Sequence, residues 1–210
     1  MLISDLAKEV HENAVAHGWW EEERKRPEIL ALIHSEWSEA LEEARAGRPM
    51  VWYACGEAEN STIPCNPKDD DECRMYGREG ECQFRGHKPE GIAVELIDGC
   101  IRILDYIGQL GGIVPGSDDT DMEIERLYTM NCDGNAADMK LPELVAWLHL
   151  YTAEALKFKE ECPAATTLSL LATMSAALGW VNEQGIDPLQ LLLEKHEYNK
   201  TRPYKHGKKF

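Results

Sequence analysis

Apolar residues recur at helical spacing through most of the chain, and Gly, Pro and Asp residues cut that pattern into segments. A first helix is expected over about 5–17, closed by Gly18 ahead of Trp19-Trp20. Pro27 suits the first turn of a second helix that stops near Gly47-Arg48-Pro49, and a third runs over about 90–110 to Gly111-Gly112. After a polar linker at 114–121 come a short helix at 122–130 and a break at Asp133-Gly134. Pro142 opens a helix to about 159, Pro163 opens the next, and Asp187-Pro188 starts the last, over 189–201. The spacing predicts an all-α chain, one helical-bundle domain over 1–210. The segments 141–159 and 166–184 read as a helical hairpin added to the bundle, within added helices at about 122–184.

Residues 48–88 break the pattern. Gly, Pro, Asn and Asp recur there with neither a helical nor a strand period, so the segment reads as a long irregular insertion, dispensable for folding but able to shape access to a site. Its four cysteines, Cys55, Cys65, Cys73 and Cys82, are separated by nine, seven and eight intervening residues, unlike the close pairs that a zinc site takes from one tight turn; His87 reads as a loop histidine. Cys100, Cys132 and Cys162 read as small buried residues.

The third helix carries the chemistry. Ile92, Val94, Leu96, Ile97, Ile101, Ile103, Leu104 and Ile107 surround it almost completely, leaving one polar stripe of Glu95, Asp98, Arg102 and Asp105. A helix apolar nearly all round is buried, and a buried carboxylate must be paired or must coordinate a metal. On the second helix Glu36 and Glu39 stand three apart, beside Ile29, Leu32 and Ala40, with Ser38, Glu42 and Arg45 on the other side. If the two helices face each other, four carboxylates converge as oxygen ligands for a hard divalent cation. The alternative reading is that both stripes are ordinary solvated helix faces.

Composition narrows the function. A hydrophobic content of 43% supports a real core, and a formal net charge of -16 argues against nucleic acid or an anionic membrane as partner. No apolar run reads as a bilayer span, MLISDLAKEVHENA lacks the parts of a signal peptide, and seven cysteines without CxxC fit a reducing compartment; a cytoplasmic protein is expected. Six of the 22 basic residues, Lys195, Lys200, Arg202, Lys205, Lys208 and Lys209, fall near the C-terminal end. That segment is either a solubilising tail or, because Asp187-Pro188 starts a helix with Leu189, Leu192, Leu193 and His196 on a packing face, a docked helix that presents Lys195, Asn199 and Arg202 together.

The segments LALIHSEWSEALEEARAG, KPEGIAVELIDGCIRILDYIG and LLLEKHEYNKTRPYKHGKKF, in that order, resemble the signature segments of the MazG-like nucleoside triphosphate pyrophosphohydrolases, the all-α NTP pyrophosphatase superfamily; HENAVAHGWWEEE fits the preceding helix. Ser35-Glu36 stands where the family often has two glutamates, and the insertion replaces a short loop. The resemblance implies an all-α NTP pyrophosphatase fold and hydrolysis of a (deoxy)nucleoside triphosphate to the monophosphate and pyrophosphate. It implies Mg²⁺, with Mn²⁺ as a substitute, on Glu36, Glu39, Glu95 and Asp98 as catalytic and metal residues. It further implies phosphate donors from Arg102, Lys195, Asn199, Lys200 and Arg202, base stacking on Trp20, and assembly as a homodimer or homotetramer. Two other classes are a nucleotide-binding regulator without turnover, and a helical interaction module with a Cys-containing loop.

Overall fold

A computed structural model describes residues 1–54, 64–65, 88–111, 122–129, 138–158 and 162–207. The expectations for Cys55, Cys73, Cys82, His87 and Cys132, for the linker at 114–121 and for the break at Asp133-Gly134 lie outside the described residues, and Cys65 is described in its backbone only. Among the described residues the chain is predominantly helical. Its helices are α1 (Ile3–Ala16), α2 (Arg26–Arg45), α3 (Ile92–Gln109), α4 (Ile124–Thr129), α5 (Leu141–Glu154), α6 (Pro163–Glu183) and α7 (Pro188–Lys200). Short 3₁₀ turns follow α5 at Ala155–Lys157 and α7 at Tyr204–Gly207.

The helix starts follow the local chemistry read from the sequence. Pro27, Pro142, Pro163 and Pro188 all stand in the first turn of their helices, where the missing N–H costs nothing. Asp187 accepts a hydrogen bond from the Gln190 backbone N–H at 3.0 Å, so it caps α7.

α3 lies at the centre and packs against α1, α2, α6 and α7. Val94, Leu96, Ile97, Ile103, Leu104 and Ile107 are all fully buried, and Tyr106 nearly so. Two glycines let its neighbours approach. A Cβ on Gly99 would stand 2.2 Å from the Trp37 ring of α2, and one on Gly108 would stand 2.4 Å from the Ala7 carbonyl oxygen of α1. Trp37 is itself fully buried and donates its indole N–H to Thr152 of α5 at 2.9 Å. One aromatic thus pins three helices.

The insertion departs from expectation at its two ends. Trp52–Ala54 (β1) and Lys88–Glu90 (β3) pair antiparallel, with Pro64–Cys65 (β2) on the other side of β1, giving the order β2-β1-β3. Backbone pairing rather than side-chain alternation makes these strands, and segments of two or three residues are too short to show a period. The carbonyls of Pro49 and Met50 accept from the N–H groups of Ile92 and Ala93, capping α3, and Trp52 is buried. The ends of the 48–88 segment therefore belong to the domain; dispensability can extend only to its interior.

α6 also departs from the reading that no segment is apolar enough to span a bilayer. By length and composition it is, with a mean hydropathy of 1.4 over its window, yet 56% of that window is buried. Packing against α3, α4, α5 and α7 accounts for its apolar character.

Gly99→Ala sets two effects in opposition. Helix propensity favours alanine by about 1 kcal/mol. The clash falls on a ring locked by burial and a hydrogen bond, and overpacking of that kind costs about 1–3 kcal/mol or more. Chemical denaturation is expected to show net destabilisation; a more stable variant would show that α2 and α3 can move apart.

Candidate functional site

The registers of α2 and α3 bring the two acidic pairs together. Carboxylate oxygens of Glu36, Glu39 and Glu95 all lie within 4.8 Å of one another. Glu36 and Glu95 are 5% and 7% exposed, while Glu39 opens to solvent, so the cluster has a buried floor and an open mouth. Asp98, one turn beyond Glu95, borders the same cleft but is drawn toward α7, where its Oδ2 pairs with the Lys195 ammonium at 2.9 Å.

Lys195 is 1% exposed and also donates to the Pro89 carbonyl at 2.9 Å. Burial works against its charge, and the carboxylates of Asp98 and Glu95 outweigh burial, holding its pKa above the usual lysine value. Sequence reasoning expected a side chain reaching a phosphate. The structure instead commits it to Asp98 and a backbone carbonyl, as a fixed counter-charge beneath the cluster. Arg102 has a matching place on the other side, donating to Glu36.

One buried cation, Lys195, and the partly exposed Arg102 do not neutralise this set of carboxylates. Burial, reinforced by the neighbouring Asp98 charge, pushes the Glu95 carboxyl up to about 9. Glu36 is raised by burial despite Arg102. Asp105, one turn further along α3, is raised by burial against the hydrogen bonds from His11 (2.8 Å) and the Trp20 indole N–H (2.9 Å). Carboxylates gathered this closely, with incomplete counter-charge, could hold a cation. All the donors are carboxylate oxygens, which suits a hard ion such as Mg²⁺ or Mn²⁺ rather than zinc.

The cleft over this floor measures about 180 Å³. Arg24, Lys88, Arg102, Asn199 and Arg202 line it, together with His17 and Trp19. Asn199 keeps a buried Oδ1 without a hydrogen-bond partner among the described residues. The basic last helix is docked, not frayed, so three of the expected donors, Lys195, Asn199 and Arg202, line the cleft, Lys195 while paired with Asp98. Lys200 does not line it: its ammonium binds Glu9 and Glu197, each at 2.5 Å. Trp20 turns its indole to Asp105 and its ring edge to His11, and Trp19 is the tryptophan on the cleft wall.

Sequence reasoning missed Arg24, Lys88 and His17 as lining residues. Lys88 is the last residue before Pro89 and α3, and adjacency to the acidic helix was the available signal. Arg24 lay within a charged run, EEERKRPE, that gives no direction to any one side chain. Comparison of the chain with family models, curated proteins and solved structures finds no match.

The raised Glu95 carboxyl has a measurable sign. In the folded state it keeps its proton up to about 9, above the ordinary 4.5, so its contribution to stability is full below the ordinary value and is lost as pH rises toward 9. Glu95→Gln removes the titration. In chelator-treated protein the variant is expected to melt with the parent near pH 4.5 and above it by at least about 3 °C near pH 9. The same offset at both pH values would place the carboxylate in water.

Proposed function

We propose that the protein is a divalent-metal-dependent nucleoside triphosphate pyrophosphohydrolase of the MazG-like, all-α NTP pyrophosphatase type. The observation that carries the reading is the convergence of Glu36, Glu39 and Glu95, with Asp98 beside them, on one cleft whose upper wall is cationic. A triphosphate is an acid polyanion that needs both: a metal-binding floor and donors above it. Bound there by Glu36, Glu39 and Glu95, a Mg²⁺ ion would neutralise phosphate oxygens and acidify a water.

The chain's own residues do the rest by position. Arg102 fixes Glu36, and Lys195 fixes Asp98, so the carboxylates are held before substrate arrives. Arg24, Lys88 and Arg202 face the polyanion from the cleft wall, and Asn199 offers an unused acceptor beside them. Phosphoryl transfer asks little covalent chemistry of a protein: water adds at phosphorus, the bridge between the α- and β-phosphates breaks, and pyrophosphate leaves with the displaced oxygen. Trp19 supplies an aromatic surface on the cleft wall.

The direct test is a screen of common and modified nucleoside triphosphates with Mg²⁺, detecting pyrophosphate and monophosphate. Turnover is expected for at least one and should vanish with chelator. Asp98→Asn keeps the shape of the side chain and removes the charge that meets Lys195. It is expected to lower turnover by about a hundredfold or more, with helix content unchanged by circular dichroism. Full activity in that variant would remove Asp98 from the mechanism, and nucleotide binding without pyrophosphate from any substrate would favour a regulator over an enzyme.

A further inference from the structure

His17 closes α1, and both nitrogens of its ring meet carbonyl oxygens: Nδ1 lies 2.8 Å from the oxygen of Asn13, and Nε2 lies 2.9 Å from that of Arg202. A carbonyl has no proton to give. The contact with Arg202 is therefore a hydrogen bond when the ring proton sits on Nε2, which donates it.

The second contact spans 185 positions, from the end of α1 to the residues that follow α7. Residues 201–205 form a strap across the α1–α2 connection, and the strap is tied at further points. The Lys205 N–H donates to the His17 carbonyl at 3.2 Å, the Lys205 ammonium meets Glu21 at 2.6 Å, and the Tyr204 hydroxyl donates to the same carboxylate. Gly18 makes room for it. Its φ of +80° is one that a glycine takes readily, and a Cβ there would stand 2.3 Å from the Tyr204 ring. Charged groups that share the cleft or the strap with His17 include Arg24, Lys88, Arg102, Asp105 and Arg202 in the cleft, and Glu21 and Lys205 on the strap.

We propose that His17 is a positioning residue: by gripping the Arg202 carbonyl through Nε2 it locks the strap and so sets the Arg202 guanidinium in the cleft, where it meets the phosphates of the substrate. This rests on the function proposed above. His17 touches no reacting atom; it acts through Arg202. Gly18 and Tyr204 belong to the same latch, although neither lines the cleft.

Steady-state kinetics with a triphosphate that the parent hydrolyses test it. His17→Leu, which has no donor for the Arg202 carbonyl, and Gly18→Ala, which displaces Tyr204, are each expected to raise KM by about fivefold or more with a smaller change in kcat. His17→Leu combined with Arg202→Ala should be no worse than Arg202→Ala alone, because both changes remove one interaction. Multiplying effects, or unchanged KM in both single variants, would overturn the proposal. Nitrogen-15 spectra of the parent, independent of activity, should show a proton on Nε2 of His17, the nitrogen that meets the Arg202 carbonyl; a bare Nε2 would overturn it as well. Should the parent neither bind nor hydrolyse any triphosphate, the pyrophosphohydrolase reading fails, and the nitrogen spectra still decide the latch.

Discussion

Burying acid on the central helix is the constraint from which the rest of the structure follows. α3 must be apolar to hold the bundle together, yet it carries Glu95, Asp98 and Asp105 along one line. Leaving those charges unpaired in a core would cost several kcal/mol each, by the usual penalty for desolvating an ion. The chain answers with partners from two other helices, Lys195 of α7 for Asp98 and His11 of α1 for Asp105, while α3's own Arg102 turns to Glu36 of α2. Each helix that supplies a partner also seals a side of α3. The polar line fixes the arrangement of the bundle as firmly as the apolar faces do.

The compensation is incomplete, and the shortfall is placed where it is useful. Carboxyl groups raised by burial stand under an opening wide enough for small ligands, while the cations that would cancel them are either committed at the floor or set back on the wall. Such a site is electrically unfinished without its ligands. The acidic body and the local basic wall, which looked contradictory in a chain of net charge -16, are two halves of one device.

Helix periods, proline starts and the Asp187 cap were readable because they are local: each depends on residues within one or two turns. The carboxylate convergence was readable for the same reason, since the spacing in each helix and the apolar wrapping of α3 leave few ways to bury both. The residues that were misplaced are those whose direction is chosen by distant partners. Lys195 looked free to reach a phosphate until Asp98 and the Pro89 carbonyl claimed it, and Lys200 was claimed by Glu9. Of the adjacent Trp19 and Trp20, a half-turn of backbone decides which meets the cleft and which meets Asp105. The short strands at the ends of the insertion have no period to read, and they exist because β1 and β3 find each other across it.

Lys195 also sets an order of events in folding. Its ammonium joins a carbonyl 106 positions earlier in the chain, and the helix that carries it is the last long element among the described residues. Until α7 docks, the Asp98 face of α3 has no counter-charge and stays turned to water, so the core around α3 cannot close from its local contacts alone. Closure waits on a pairing between remote parts of the chain, which ties the core to the docking of α7 rather than to contacts within neighbouring turns.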